Sequence, residues 1–366
     1  MSGRDIRGVA STFDATRLRI ARQAAMLRKK DLAERIGVSA AAISQYESGT
    51  TSPATKTVAA LSLALGVPAD YFIGDRPLGE APTTTAHFRS LRATTQQERD
   101  RAFAHALQTW ELARSLEQFV RFPKFDLPMD LAIHPADPIG AAEAAARLAR
   151  EALELDTRPI PNMVRLLESR GIVCTRLPAQ TRRVFAFSCD FPTRPVVVLA
   201  AERSHRAAGR FDTAHELAHL LVHHDEEPGS HAVERQAHAF ASEFLAPASE
   251  IGDLLPRSVN WRVLLDLKNV WGISIQALLF RARSLGIMAD NTYRRAVTEL
   301  NARGWRTEEP GDDGNAEYPV MLSRALDVLE ERGLGMGDLA KRCRLSSETV
   351  RTIIAADDRP TISSEN

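Results

Sequence analysis

The sequence predicts a multidomain, mainly α-helical protein with one small α+β domain near its middle. Its 366 residues are enough for two or three domains of roughly 100–200 residues each. Stretches with apolar residues at helical spacing recur along most of the chain. Two runs that are typical of strands, RRVFAFSC and RPVVVLAA, both lie between residues 182 and 201. We therefore expect an all-α head, a small mixed domain and a helical C-terminal region.

Composition and charge narrow the class of protein. The 47 lysine and arginine residues balance the 47 aspartate and glutamate residues, so the formal net charge is +0. No global field then attracts nucleic acid or a membrane, and any such attraction must be local. The three cysteines form neither a disulfide framework nor a Cys-x-x-Cys metal pair. Because no apolar run has the length of a membrane span or the form of a signal peptide, we expect a cytoplasmic protein without a membrane partner.

The N-terminal head, residues 15–75, is predicted to be a compact all-α unit. The segments LRIARQAAML, KKDLAERI, AAAISQYESG and KTVAALSLALGV are typical of short amphipathic helices. Gly37 suits the left-handed position that ends a helix, and Ser39 is a good N-cap for the next helix. This order is the helix-turn-helix arrangement, in which the second helix of the pair can lie in the major groove of DNA.

The head resembles the lambda-repressor-like (XRE-type) family of phage and bacterial repressors. The resemblance rests on Leu32-Ala33, Gly37-Val38-Ser39, Ile43-Ser44, Glu47, Gly49, Leu65-Gly66-Val67 and Tyr71-Phe72. It implies that duplex DNA is a partner of this chain. A protein-binding or dimerising module is the alternative interpretation.

The residues that would contact DNA depart from the family pattern at one point. The family commonly has polar side chains at the start of its recognition helix, where this chain has the alanines 40–42. Base reading would then fall mainly on Ser39, Ser44 and Gln45. Three cations at the start of the preceding helix suit phosphate contacts, which carry no sequence information: Arg28, Lys29 and Lys30.

Residues 76–138 are predicted to hold a linker and a long connecting helix. The stretch 75–100 is rich in Thr, Pro and Gly, which is typical of a linker. A helix over 96–121 follows, with an apolar stripe that includes Leu107, Trp110 and Leu116. This stripe must pack on another surface, so the helix either bridges two domains or pairs two subunits in a homodimer.

The most informative motif is His215-Glu-Leu-Ala-His219, within a stretch whose apolar residues recur at helical spacing. Residues four apart share a helix face, so His215 and His219 can direct their imidazoles at one metal ion. Glu216 can stand beside that metal as a base. Glu234, fifteen positions after His219 in a second helical stretch, is a candidate third ligand. Three protein ligands with one open position describe a catalytic zinc site; two core histidines bonded to backbone carbonyls are the alternative.

From about residue 139 to 250, the chain resembles the ImmA/IrrE family of zinc-dependent endopeptidases. The matching residues are Leu167-Glu168, Gly171-Ile172-Val173, RFDTAHELAHLLVH (210–223) and ERQAHAFASEFLAP (234–247). The resemblance implies a zincin-like α+β metallopeptidase domain that cleaves a repressor protein. It also implies His215, His219 and Glu234 as Zn²⁺ ligands and Glu216 as the catalytic base.

Other residues of this domain have less certain predicted roles. Ala218 and His238 depart from the residues that the family usually has at these positions. His223, one turn beyond His219, is a candidate to orient a ligand, to help hold the oxyanion, or to hold a ligand from behind by hydrogen bonding. His238 is either a polar group near the metal, with the same kind of supporting role, or a structural histidine on a helix face. The strand RPVVVL (194–199) is our candidate for an exposed strand that binds an extended peptide through main-chain hydrogen bonds.

The C-terminal third repeats part of the head. DLAERIGVSAAAI (31–43) reappears as DLAKRCRLSSETV (338–350), and DLKNVWGISIQAL (266–278) is a weaker copy. Such self-similarity predicts recurring helix-turn-helix units, although Arg344 stands where the turn would prefer Gly. Each copy, in the helical regions 255–305 and 316–358, is either a structural support or a further DNA reader.

Three functions follow from these interpretations. The first is a DNA-binding transcriptional regulator whose endopeptidase domain cleaves a repressor, either a partner or itself. The second is a non-proteolytic transcription factor whose zinc domain senses metal or ligand. The third is an antitoxin-like autorepressor. The full set of predicted ligands and base favours the first function.

Overall fold

The computed structural model describes residues 9–75, 94–127, 131, 136–178, 184–200, 206–223, 230–306, 308–311 and 316–355. The mainly α-helical, multidomain prediction is confirmed, with one small sheet. The head consists of four helices and a 3-10 turn. They are α1 (Ala15–Ala24), α2 (Lys29–Ile36), α3 (Ala40–Glu47), α4 (Thr55–Leu65) and the turn Ala69–Phe72.

The helix-turn-helix forms at the residues where the sequence predicts it. Gly37 ends α2 in the left-handed conformation, with φ 70°. A residue with a Cβ would be strained there, which explains the glycine. Ser39 caps α3 by accepting a hydrogen bond at its Oγ from the backbone N–H of Ala42, 3.1 Å away. These two local signals set the angle between α2 and α3.

The long helix α5 (Gln96–Leu116) lies inside the protein and ends earlier than the predicted residue 121. Its stripe residues Leu107, Trp110 and Leu116 are buried. On one side the Arg17 guanidinium of α1 pairs with Glu111, 2.9 Å away. Of the two alternatives for this helix, the structure shows that it bridges parts of one chain. The predicted linker over residues 76–93 lies outside the described residues.

The small α+β domain consists of five helices and three strands. Its sheet has the order β1-β3-β2, in which β3 runs parallel to β1 and antiparallel to β2. These elements are α6 (Pro138–Ala152), α7 (Met163–Ser169), β1 (Val173–Arg176), β2 (Phe187–Cys189), β3 (Val196–Leu199), α8 (Arg206–Val222), α9 (His231–Leu245) and the short α10 (Ala248–Ile251).

The prediction that RPVVVL is an exposed, peptide-binding strand is wrong. Its residues form β3, which is paired on both edges and buried along its whole length. The run of three valines and a leucine has no polar residue on either face, as is typical of a strand covered on both sides. Among the described strands near the metal motif, β2 is the edge strand.

The sheet separates two hydrophobic cores. Val196 and Val198 belong to a first core that they share with the head and α5. Val197 and Leu199, on the opposite face, belong to a second core with α7, α8 and α9. The alternation of strand side chains between two faces therefore places one side of β3 against the head and the other side against the helix that carries the metal motif.

Six further helices complete the C-terminal region, as the sequence predicts. The second core includes apolar residues of the first three helices, and the first core includes those of the last three. The six are α11 (Trp261–Trp271), α12 (Ile275–Ser284), α13 (Asp290–Ala302), α14 (Met321–Glu331), α15 (Met336–Cys343) and α16 (Ser347–Ala355).

No single helix among the described residues is long and apolar enough to cross a membrane. The pair α11 and α12 passes that test together by length and composition, with a bend of 103° between the two helices.

Candidate metal centre

Helix α8 carries the motif as predicted, with His215, Glu216 and His219 almost fully buried. The two imidazoles lie one turn apart, with their Nε2 atoms 3.1 Å from each other. Apolar neighbours on the same helix, such as Leu217 and Leu221, pack into the second core. The apolar face of α8 therefore holds the helix in the core. The side chains of His215 and His219, four residues apart, point to one site.

Glu234 completes the cluster from a second helix. Ser230 caps α9 and holds the first turn of the helix, in which Glu234 lies. One carboxylate oxygen of Glu234 is 3.3 Å from Nε2 of His215, and the other is 3.7 Å from Nε2 of His219. The structure thus brings together the three side chains that the sequence analysis proposes as ligands.

The geometry of these three side chains fits a zinc ion. Ligands bound to zinc at roughly 2.0–2.2 Å in tetrahedral geometry lie about 3.3 Å from one another. The separations between His215, His219 and Glu234 range from 3.1 to 3.7 Å. Glu216 also lies close, since one donor atom from each of His215, Glu216 and His219 falls within 4.8 Å of the others. We favour Glu234 as the carboxylate ligand because its two oxygens face the two imidazoles.

Glu216 has a separate hydrogen-bond partner. Ser188 of β2 donates a hydrogen bond from Oγ to Oε2 of Glu216, 2.9 Å away. Ser188 lies opposite Val197 in the sheet register, and Val197 belongs to the core that includes α8. The register of β2 therefore directs this hydroxyl at the carboxylate. The sequence analysis missed Ser188, since no local pattern shows that a serine in a short strand faces a helix.

The neighbouring Cys189 lies on the other face of β2, in the first core. Burial, with a further contribution from the charge of Glu216, raises the pKa of the Cys189 thiol well above its usual range. Thiolate is the reactive form of cysteine. Cys189 is therefore a packing residue and not a nucleophile of this centre.

His223 and His238 both border the cluster. The His223 ring lies 5.2 Å from that of His219, and its Nε2 donates to Oε1 of Gln236, 2.8 Å away. The His238 ring lies 4.9 Å from that of His215, and its Nδ1 donates to the backbone carbonyl of Glu234. Each ring packs against a candidate ligand, while the supporting role of His223 and His238 stays a prediction.

A groove of about 910 Å³ opens beside this centre. Phe211 and His238, which line it, connect it to the cluster around His215. Three exposed large apolar side chains also line it: Ile139, Phe185 and Phe280. Exposed apolar surface of this kind commonly marks a binding site, so the groove is a candidate binding surface.

In the head, the three predicted phosphate contacts lie at the start of α2. Each also pairs with a carboxylate of the head itself. The contacts are Arg28 Nε with Asp31 at 2.9 Å, Lys29 Nζ with Glu47 at 3.6 Å, and Lys30 Nζ with Glu34 at 3.7 Å. The hydrogen bonds that Arg28 donates to the Asp31 carboxylate raise the pKa of Arg28. DNA phosphates must therefore compete with these carboxylates at all three positions.

The predicted base-reading residues lie along α3 and at its N-terminus. Gln45 is exposed and Ser44 is half-buried. The Ser39 hydroxyl is exposed but accepts the capping hydrogen bond of α3. Of the three, Gln45 has the most surface available for a base.

Comparison with protein families matches two parts of the chain. A family model described as Helix-turn-helix matches residues 18–72, which cover α1 to the 3-10 turn. A peptidase model described as IrrE N-terminal-like domain matches residues 167–283, from the end of α7 to α12. The chain is a fusion of these two domains. A search of curated proteins finds no match to it.

The IrrE-like domain contains every residue of the candidate metal centre. The helix-turn-helix domain contains all six predicted DNA contacts. The match to the IrrE-like model includes α11 and α12, where the sequence shows its weaker internal copy. The C-terminal copy, α15 and α16, lies outside both matches.

Proposed function

We propose that the chain is a DNA-binding transcriptional regulator whose IrrE-like domain is a zinc-dependent endopeptidase. Its substrate is a repressor protein, either a partner or the chain itself, and cleavage releases the genes that this repressor silences. The observation that supports the proposal most is the convergence on one buried point of two imidazoles and two carboxylates from α8 and α9. Such a donor set is typical of catalytic zinc sites.

In this proposal His215, His219 and Glu234 hold the metal, and His223 and His238 support them. A bound zinc ion supplies Lewis-acid chemistry, since it polarises a carbonyl and lowers the pKa of water toward ~7. The buried position of the two histidines fixes their rings. Fixed ligands cost little reorganisation when substrate binds.

Glu216 acts as the general base. Its carboxylate takes a proton from the attacking water and then passes that proton to the leaving amine. The hydrogen bond from Ser188 holds the carboxylate in one orientation. Ser188 is thus a positioning residue, and its effect on the reaction is exerted through Glu216.

The substrate segment would lie in extended form between β2 and the groove. Ser188 of β2 contacts the Glu216 carboxylate, so a substrate segment that lies alongside β2 would pass close to the base. Phe185, which lines the groove, lies two residues before the start of β2. In this proposal, apolar substrate side chains enter the groove while the peptide backbone passes Glu216.

The decisive experiment replaces Glu216 by Gln in the full chain. We expect this variant to fold and to keep its metal, while cleavage falls by about 10²–10⁴-fold, as is common when a general base is lost. The inactive variant should also retain its substrate, which co-purification and mass spectrometry can identify. Glu151→Gln, an exposed change on α6, is the matched control and should cleave normally.

Undiminished cleavage by Glu216→Gln contradicts the assignment of the base. If instead every cellular phenotype survives the substitution and no cleavage product is found in either strain, the chain is a non-proteolytic regulator. The metal content of the same preparations separates this outcome from simple loss of the site.

A further inference from the structure

Helices α15 and α16 reproduce the DNA-binding pair α2 and α3 residue by residue. Helix α2 begins at Lys29 and ends at Ile36, and α15 begins at Met336 and ends at Cys343, so each has 8 residues. At the third position of each helix an aspartate accepts a hydrogen bond from the backbone N–H before the helix. For Asp31 this bond is 3.1 Å long, and for Asp338 it is 3.3 Å.

The turns and the second helices correspond in the same way. Arg344 takes the place of Gly37 and has the same left-handed conformation, with φ 53°. Ser346 takes the place of Ser39, and its Oγ accepts a hydrogen bond from the N–H of Thr349, 3.0 Å away. The core residue Ile43 has its counterpart in Val350, and both are fully buried. Helix α16 therefore occupies the place of the recognition helix α3.

The outer surfaces of the two units differ in a complementary way. The head has cations at the start of its first helix but alanines at the start of its recognition helix. The C-terminal unit has uncharged residues, 335–337, where the head has its cations. Its recognition helix instead exposes four polar or charged side chains: Ser347, Glu348, Arg351 and Thr352. The head is thus suited to phosphate contact, and α16 is suited to reading bases.

The two units are attached to each other. The Arg344 guanidinium forms two hydrogen bonds to the Asp75 carboxylate at the end of the head, at 2.6 and 2.8 Å. Its Nη1 also approaches the backbone carbonyl of Asp70, 3.5 Å away. Apolar residues of both units belong to the first core, which also includes α5. Because they are held in one body, the two units can approach a duplex together.

We propose that α15 and α16 form a second unit that reads duplex DNA, with α16 supplying base contacts that the head lacks. Arg351, at the position of Ser44 in the head, is the main reader. An arginine there can contact O6 and N7 of a guanine, and Glu348 can accept a hydrogen bond from the amino group of a cytosine. The head then supplies most of the affinity, and the C-terminal unit supplies much of the sequence preference.

The test uses the full chain. A selection from random duplexes gives the preferred sequence of the wild-type protein, and competition with unselected duplex gives the ratio of specific to non-specific affinity. We expect Arg351→Ala to lower that ratio by about tenfold or more, which is typical of a lost bidentate base contact. Selection with this variant should show relaxed preference at one base pair. Arg324→Ala, which removes the same charge from an exposed site on α14, should leave the ratio unchanged.

A second variant covers the case in which Arg351 alone contributes little to base reading. Simultaneous replacement of Glu348, Arg351 and Thr352 by Ala changes only exposed residues, so the fold should be kept, as circular dichroism can check. An unchanged selected sequence and an unchanged affinity ratio in this triple variant would overturn the proposal. The C-terminal unit would then be a structural support of the head or a surface for another protein.

Discussion

Arg210 and Glu317 form an ion pair in the interior of the protein. The Nη1 atom of Arg210 lies 2.5 Å from Oε1 of Glu317, and the side chains are 1% and 6% exposed. Arg210 belongs to α8, five residues before His215, whereas Glu317 lies just before α14. The pair thus ties the helix of the metal centre to the C-terminal region.

Glu317 also accepts hydrogen bonds from backbone N–H groups at the start of α7, at 2.6 Å from Met163 and 3.3 Å from Val164. In return, Glu168 at the end of α7 accepts hydrogen bonds from the N–H groups of Val320 and Met321. Glu317 thus caps the start of α7, and Glu168, at the end of α7, caps the start of α14. Burial raises the pKa of the Glu168 carboxyl, and the hydrogen bonds from these two backbone N–H groups offset part of that rise.

Replacing Glu317 by Ala should destabilise the protein strongly. The change leaves the Arg210 charge buried without its carboxylate partner, which typically costs about 3–5 kcal/mol. Urea unfolding followed by circular dichroism measures the free energy of unfolding. The exposed Glu330→Ala on α14 is the control and should have little effect. Equal stability of the two variants would show that the pair does not hold the regions together.

Metal binding should depend on each predicted ligand. We expect about one equivalent of Zn²⁺ per chain, lost in His215→Ala and in His219→Ala and weakened in Glu234→Ala, because these three side chains lie at ligand spacing. Metal analysis of protein purified without chelators gives the stoichiometry. His231→Ala, an exposed histidine on α9, should keep its metal. If the double variant His215→Ala/His219→Ala kept its full zinc content, the assignment of this metal site would be wrong.

Ser188→Ala should slow cleavage without loss of metal. The lost hydrogen bond to an ionised group is typically worth about 1.5–3 kcal/mol, so we expect kcat to fall by about 10- to 100-fold, with KM nearly unchanged. Ser188→Thr keeps the hydroxyl and should recover part of the activity. Ser169→Ala, an exposed change on α7, is the control. A normal kcat for Ser188→Ala would mean that Glu216 needs no partner from β2.

DNA binding by the full chain should weaken steeply as salt rises, because cations that contact phosphates displace counterions. Replacing Arg28, Lys29 and Lys30 together by Ala should weaken binding to all sequences alike. Each lost phosphate contact should reduce the salt slope by about 0.9. Gln45→Ala should instead relax preference at one base pair by ~1–3 kcal/mol.

A salt titration with selected and unselected duplexes measures both effects. The control removes three exposed arginines far along the chain: Arg257, Arg262 and Arg295. If this control loses as much affinity as the head variant, net charge alone governs binding. If neither variant changes the salt slope, the head is a protein-interaction module.

Acid should destabilise the protein partly through His105 of α5. Burial lowers the pKa of this imidazole to about 4, against about 6.5 in an unfolded chain. Between these values the unfolded state binds the proton and the folded state does not, so this contribution to stability is present above pH ~6.5 and is lost as pH falls toward ~4. Measurement of unfolding free energy against pH should show a shallower fall for His105→Gln. The exposed His231→Gln should behave like the wild type.

Those parts of the fold that depend on local signals could be predicted from sequence. Gly37 and Ser39 mark the helix-turn-helix because the end of one helix and the cap of the next are set by single residues. His215 and His219 point to one site because helical geometry fixes residues four apart. Glu234 was a candidate because it is a carboxylate in a second helical stretch, and the family resemblance also implied it; its distance from the histidines depends on how α8 and α9 pack.

The features that could not be predicted depend on contacts between distant parts of the chain. The exposure of RPVVVL was predicted wrongly: its continuous apolar run is typical of a strand covered on both faces, whereas its central place in the sheet depends on pairing with β1 and β2. Ser188 was missed since its direction depends on its register with Val197. The attachment of Arg344 to Asp75 was missed for the same reason, although Arg344 was noted as an unusual residue for its turn.

The head shares the first core with α5 and α16, and this has a consequence for the synthesis and folding of the protein. Leu18 of the head, Leu107 of α5 and Ile353 of α16 belong to one continuous core. The ribosome makes the head before α16, so the core residues of the head are fully buried only after α16 has been made. Domains usually fold as separate units during synthesis, but here a prematurely terminated chain would expose the unfinished core to chaperones and proteases. A stop codon before α14 should therefore lead to degradation of the truncated chain, so that no DNA-binding fragment accumulates.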